Sequence, residues 1–297
     1  MELTIETKLT LNDGHLIPQL GLGVWQTRAG ATCEAAVLAA LEAGYRHIDT
    51  AAMYGNEESV GAAIRMSGIP RENIFVTTKL WNSDHGNPER ALNTSLRKLK
   101  LDYVDLYLIH YLVRERRQSW RALEALRAEG KARSIGVSNF TISHLTELLA
   151  ETKTVPAVNQ VEFHPYLYQR DLWDFCDGEG IVIEAYSPLT KGARLKDPKL
   201  VAVAKKYSQT GLQPGTPRSR WPLLDKLSRR SETKSTAQIL IRWALQHGLA
   251  VIPKSANRRR IFEDADIFDF EITAEDMQLL DRLNENLRTC WDPTNAP

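Results

Sequence analysis

Eight short runs of apolar and β-branched residues recur along this chain, each separated from the next by a stretch of helical period. They are Leu20–Val24, Arg46–Ile48, Ile74–Lys79, Tyr103–His110, Ala132–Val137, Ala157–Glu162, Ile181–Tyr186 and Leu249–Pro253. Strands joined by crossover helices must pair in parallel, and about eight such units close on themselves. Ahead of them, Asn12-Asp13-Gly14 is strong turn chemistry between Thr4–Leu11 and His15–Pro18. Beyond the last run, Arg258–Phe270 reads as a further helical piece. The expectation is an α/β fold, a (β/α)8 TIM barrel with an N-terminal β-hairpin and an extra helix near the C-terminus, in one domain over 1–297.

Local signals place the helices. Thr32–Glu42 closes at Gly44, Asn56 stands where it would cap Glu57–Met66, and Asn87 with Pro88 starts a helix striped by Leu92, Leu96 and Leu99. Thr273 and Asp276 have capping-box spacing, which predicts a closing helix over Thr273–Leu287. One segment breaks the rhythm. Ser208–Thr233 is rich in Pro, Gly, Ser and Arg without periodicity, and reads as an atypical surface insertion. A basic docking loop or a flap is the sharper alternative.

In a parallel barrel the carboxyl ends of all strands meet at one face, where active sites are built. Here those ends carry Asp49, Lys79, His110, Ser138 with Asn139, Gln160, Tyr186 with Ser187, and Lys254 with Ser255. One such residue is an ordinary turn former, whereas a row of them facing one mouth suggests function. Tyr54 follows Asp49 by five positions. A phenol with a pKa of about 10 donates poorly at neutral pH, but a neighbouring ammonium held by a carboxylate lowers that value. Asp49, Lys79 and Tyr54 therefore read as a tuned general acid, with His110 as a neutral donor that orients an oxygen. That suits protonating a carbonyl oxygen as hydride reaches its carbon. The alternative is a buried Asp–Lys pair that staples two strands beside a core histidine.

A hydride needs a donor cofactor. Gly21–Gln26, GLGVWQ, has two glycines where a Rossmann fingerprint needs three, so that site is rejected. The last strand instead runs into Lys254-Ser255-Ala256-Asn257-Arg258-Arg259-Arg260 and a helical turn. Basic groups and helix N-terminal amides in this position bind phosphate in barrels, and an arginine fork suits a 2′-phosphate. Away from that position, three arginines would be a solvated basic patch. Ser138, Asn139 and Gln160 offer partners for a carboxamide, and Tyr186 a face for a nicotinamide ring.

Composition narrows the rest. With 297 residues, 43% hydrophobic and 25% charged, the chain has an ordinary globular make-up. A net charge of +1 gives no case for nucleic acid or a membrane surface as the main partner. The three cysteines, Cys33, Cys176 and Cys290, are dispersed and in no metal-ligand spacing, which favours a reduced, cytoplasmic setting. No metal is expected, and a monomer is.

At this point the chain resembles the aldo-keto reductases. The stretches that carry the resemblance are GHLIPQLGLGVWQT, GYRHIDTAAMYGNEESVG, IFVTTKLWNSDHG, LDYVDLYLIH, SIGVSNF, VNQVEFHPY, EAYSPL and VIPKSANRRRI, spread from Gly14 to about Phe270. The resemblance implies reduction of aldehydes and ketones with NADPH, by a tetrad at Asp49, Tyr54, Lys79 and His110. It also implies cofactor contacts at Gly23, Val24, Trp25 and Asp49, and at Ser138, Asn139, Gln160, Tyr186, Ser187 and Leu189. Phosphate contacts fall on Lys254, Ser255 and Arg260, and adenine contacts on Glu263 and Asp264. The substrate pocket would hold Trp25, Tyr54, Trp81, His110 and Tyr111. The KLWNSDHG segment is most similar to bacterial reductases of 2,5-diketogluconate, methylglyoxal and small aldehydes.

Two departures stand out. Asp264 occupies a position that is usually Asn in the family, which removes a donor, and Tyr111-Leu112 replaces the usual aromatic-Pro. Cys290-Trp291 either covers the mouth of the site or packs outside it. The rival from another class is a non-catalytic NADPH-binding sensor or regulatory protein on the same fold, with the basic insertion as its only support.

Overall fold

The computed structural model of the chain describes residues 2–207 and 233–296, so the expected insertion lies outside the described residues except for Thr233. Strands β1 (Lys8–Thr10) and β2 (Leu16–Pro18) pair antiparallel around a turn in which Gly14 takes a φ of 87°. Eight further strands follow: β3 (Leu22–Gly23), β4 (His47–Asp49), β5 (Phe75–Leu80), β6 (Val104–Ile109), β7 (Ala132–Ser138), β8 (Val158–Glu162), β9 (Val182–Tyr186) and β10 (Ala250–Val251). Each pairs in parallel with the next in sequence. Parallel bridges from Leu20 to Val251 and from Gly23 to Lys254 join the two outermost strands. The sheet therefore closes, as the alternation predicts.

Ten α-helices are present among the described residues. They are α1 (Ala31–Glu42), α2 (Glu57–Met66), α3 (Pro88–Leu99), α4 (Arg116–Ala128), α5 (Ile142–Glu151), α6 (Arg170–Gly178), α7 (Pro198–Lys206), α8 (Thr236–Gln246), α9 (Arg258–Ala265) and α10 (Ala274–Asp281). The extra helix beyond the last strand is α9.

Period-two alternation sorts the strand residues between two cores. Along β9, Ile183 and Ala185 join the large outer core against the helices, while Val182 packs on the smaller inner cluster. That inner cluster includes Leu11 and Ile17 of the hairpin with Leu106, Leu108, Val158 and Ala250. The hairpin thus plugs one end of the barrel and leaves the carboxyl ends of the strands at the other.

The glycines of GLGVW serve this closure. A Cβ on Gly21 would sit 2.7 Å from His47 Nδ1, and one on Gly23 would sit 3.1 Å from the Ile252 carbonyl. Two expectations need correction. Asn56 does not cap α2 with its side chain; it accepts from Thr50 Oγ1 at 2.8 Å and donates to the carbonyls of Val24 and Thr27. The closing helix ends at Asp281, not Leu287. Thr273 does cap it, but the Asp276 carboxylate is drawn off to Lys206 and Tyr207, and the chain then returns to the barrel through bonds to the Tyr166 carbonyl.

Candidate active site

A cleft of about 1120 Å³ opens where the strands end. At its floor Lys79 Nζ donates to both Asp49 oxygens at 2.7 Å, to the Thr50 carbonyl at 2.9 Å and to Tyr54 Oη at 3.3 Å. Lys79 is wholly enclosed, while Asp49, Tyr54 and His110 reach the cleft wall. The Tyr54 and His110 rings meet edge to face with centroids 5.6 Å apart. These four side chains, from β4, the turn after it, β5 and the end of β6, are 61 positions apart in sequence at most (49 to 110) and share one corner.

Their electrostatics differ in one respect from expectation. Burial holds the Tyr54 phenol well above its usual range, and the Asp49 carboxylate adds to the shift. Burial outweighs the expected lowering by Lys79, whose ammonium Asp49 also holds with two short bonds. Burial and then Lys79 press His110 well below 6.5, so its imidazole is neutral as anticipated. Burial pushes the Asp49 carboxyl up, against the donors from Lys79 and Gln160.

The amide group at the centre of the floor is placed in more detail than sequence allowed. Gln160 Nε2 donates to Asp49 Oδ2 at 2.8 Å and to Glu184 Oε2 at 2.6 Å, which leaves its oxygen to meet a ligand in the cleft. Ser138 Oγ donates to the Gln160 carbonyl, and Asn139 Nδ2 to the His110 carbonyl and to Ser138 Oγ. Tyr186 Oη donates to Asn139 Oδ1 at 2.7 Å, which fixes the Tyr186 ring along the wall. Asn139 and Ser187 adopt left-handed backbone, at φ 64° and 50°. Strained turns of this kind cluster where a backbone is shaped around a ligand.

The far end of the cleft is cationic and rich in free amides. Lys254, Ser255 and Arg260 line it, as do Glu263 and Asp264. Arg258 is instead tied to Glu42. The N-termini of α8 and α9 both face the space, through Ser235, Thr236 and Asn257. Helix N-termini with neighbouring cations favour phosphate. Burial, with help from Glu263 and against Arg260, pushes the Asp264 carboxyl up to about 8. In its protonated form Asp264 would keep the donor that Asn supplies.

Gly23, Trp25 and Leu189 also line the cleft, but Val24 does not: its side chain is enclosed in the outer core. Trp81, half-buried, stands edge-on to His110 at 5.3 Å and to Tyr111 at 5.8 Å, beside the lining of the cleft. Tyr111 stacks on His110 at 4.7 Å, and Trp291 covers Tyr111 edge-on at 5.1 Å. Cys290 and Trp291 thus belong to the cleft. Sequence reasoning missed Lys191, which lies over the Trp25 ring, and Thr236, since both come from segments without a motif. It also missed Glu184, although period two puts Glu184 on the same face as Tyr186. Among the described residues no group of three metal-ligating side chains is found, and no helix is long and apolar enough to cross a membrane.

The aldo/keto reductase family model matches residues 19–285. The chain is an aldo/keto reductase. It is 44% identical to the glyoxal reductase of Bacillus subtilis, covering 99% of this chain and 98% of that protein. It is 43% identical to the methylglyoxal reductase DkgA of Yersinia pestis, covering 98% of each. The crystal structure of an aldo/keto reductase from Brucella melitensis superposes with a TM-score of 0.82 at 44% identity, over 94% of this chain and 99% of that one. The chain is accordingly an oxidoreductase acting on carbonyl groups, in a family that uses a nicotinamide cofactor. The cleft fits such a group: a flat phenol and an outward amide oxygen at one end, cations and helix N-termini at the other.

Proposed function

We propose that this reductase converts small aldehydes and ketones, α-oxoaldehydes among them, to alcohols with NADPH. The observation that carries the reading is the contact of Lys79 with both Asp49 and Tyr54 at the floor of the cleft. Tyr186 would back the nicotinamide ring, and the Gln160 oxygen would accept from its carboxamide. Lys254, Ser255 and Arg260 would hold the 2′-phosphate, which favours NADPH over NADH. The bound nicotinamide supplies the hydride.

The protein's own groups manage the proton. Neutral His110 donates to the carbonyl oxygen and orients it against Tyr54 Oη. As hydride arrives at carbon, the oxygen becomes an alkoxide, far more basic than a phenolate, so Tyr54 gives up its proton downhill even with a raised pKa. Lys79, 3.3 Å away, then stabilises the phenolate. The names of the two bacterial relatives support small dicarbonyl substrates.

NADPH oxidation with methylglyoxal or an aromatic aldehyde tests this directly. Tyr54→Phe should lose about 10²- to 10⁴-fold in kcat while binding NADPH as well as wild type. Turnover by Tyr54→Phe at the wild-type rate would remove Tyr54 from the mechanism. NADPH binding without turnover by either protein would favour a regulatory binding role.

A further inference from the structure

Beneath the tetrad the barrel interior holds a second carboxyl that the reaction as described does not use. Glu184, on β9, is 0% exposed. Its Oε2 accepts from Gln160 Nε2 at 2.6 Å, and the same nitrogen donates to Asp49 Oδ2 at 2.8 Å. Its Oε1 has no hydrogen-bond partner and lies 3.4 Å from His47 Nε2. The charged and titratable groups that face it are His47 and Asp49 from β4, Lys79 from β5 and Tyr54 from the turn after β4. One amide nitrogen therefore bridges two buried carboxyls, one of which grips the ammonium beside Tyr54.

Two carboxylates sharing one donor inside a barrel repel, and one of them keeps a proton. The donors decide which. Asp49 receives two bonds from Lys79 and one from Gln160, whereas Glu184 receives only the Gln160 bond. The negative charge belongs on Asp49 and the proton on Glu184. Burial and then Asp49 push the Glu184 carboxyl up to about 8. His47, held down to about 3 mainly by burial, is neutral; its Nε2 pairs with Thr77 Oγ1 at 3.1 Å and offers Glu184 no compensating charge.

We propose that Glu184 is a positioning residue for the reduction, acting through Gln160 and Asp49, and that loss of its proton at alkaline pH slows the proton transfer from Tyr54. In the protonated state the barrel beneath the reacting centre carries one anion, Asp49, for one cation, Lys79. Ionised, Glu184 adds a second anion just as negative charge must develop on the substrate oxygen and on Tyr54. Both the alkoxide and the phenolate are then harder to form. The shared Gln160 nitrogen also links this charge to the amide oxygen that faces the cofactor.

This inference rests on the tetrad reading above, and the two fail separately. Glu184→Gln has the shape and donor pattern of the protonated acid and cannot ionise. The measurement is kcat at saturating NADPH and substrate from pH 6 to 9.5 for wild type and Glu184→Gln. The expected result is similar kcat near pH 6.5, an alkaline fall in wild type, and a variant that runs about three- to tenfold above wild type in relative rate at pH 9. A purely structural role would instead lower kcat by one factor at every pH. Overlaid profiles, or a uniform drop, overturn the proposal; an active Tyr54→Phe overturns the reading beneath it. If Glu184→Gln fails to fold, an infrared titration of the Asp264→Asn protein, which lacks the other carboxyl held near 8, reads the C=O stretch that titrates in that range. A carboxylic-acid band that disappears as pH rises through about 8 supports the proposal, and a band absent at pH 7 overturns it.

Discussion

Asp264 and Arg260 lie on the same side of α9, four positions apart, and border the end of the cleft assigned to the adenosine half of the cofactor. Burial keeps the Asp264 carboxyl protonated up to about pH 8. Below that value it can donate a hydrogen bond to a bound cofactor; above it, a carboxylate would stand beside Glu263 and repel an already anionic ligand. NADPH affinity of wild type should fall about three- to tenfold between pH 7 and pH 9, and Asp264→Asn should flatten that dependence. Fluorescence titration of NADPH at both pH values checks this without turnover. A wild-type affinity that does not change with pH would mean that Asp264 does not meet the cofactor.

At the scale of elements, the close approach of α2 to the end of α3 depends on a single missing side chain. A Cβ on Gly61 would lie 2.0 Å from the Leu99 carbonyl oxygen, which is backbone and cannot step aside. Arg65, one turn on, donates to the same carbonyl at 3.0 Å. Gly61→Ala should therefore destabilise the fold by about 1–3 kcal/mol or more, with α2 pushed off α3. Urea unfolding reads the cost as a lower midpoint at unchanged slope. Asn56, just before α2, shows a second use of a short polar side chain. Enclosed by β3 and the turn after β4, it stitches Thr50 to the Val24 and Thr27 carbonyls in place of capping the helix. The residue type suggested a cap, and tertiary contacts used the same donors and acceptor elsewhere.

The whole molecule brings its last residues back over the mouth of the cleft. Glu162, at the end of β8, accepts from Thr289 N, Thr289 Oγ1 and Cys290 N, at 2.8, 2.5 and 3.0 Å. Burial opposes ionisation of this carboxyl, but the donors from His164 and Thr289 hold it below the usual glutamate range. A lowered carboxyl stabilises the folded arrangement above the ordinary pKa and loses that contribution as pH falls through the folded value. Acidification below the usual glutamate range should therefore release residues 287–291, and Glu162→Ala should release them at neutral pH. Hydrogen exchange of that peptide measures both, with the barrel strands as the protected reference. Equal protection in the variant would show that the other tethers, Leu287 N to the Tyr166 carbonyl, Lys191 Nζ to the Thr289 carbonyl and Trp291 on Tyr111, retain the segment without Glu162.

How much of this was readable in advance follows from the range of each interaction. The barrel was legible, because parallel pairing is the only outcome for strands separated by crossover helices and because the hairpin turn and most helix starts are local chemistry. The residues at the strand ends were legible for the same reason, since strand direction alone sends Asp49, Lys79, His110, Gln160 and Tyr186 to one face. Partners and charges were not. Which side chain holds Gln160, why Tyr54 sits above its usual pKa, where Asn56 spends its bonds and what lies over Tyr111 each depend on groups up to 180 positions apart, Tyr111 to Trp291 being the widest. Sequence order determines the direction in which a side chain leaves its strand. Burial and donor count, which exist only once the barrel closes, decide its charge and its partner.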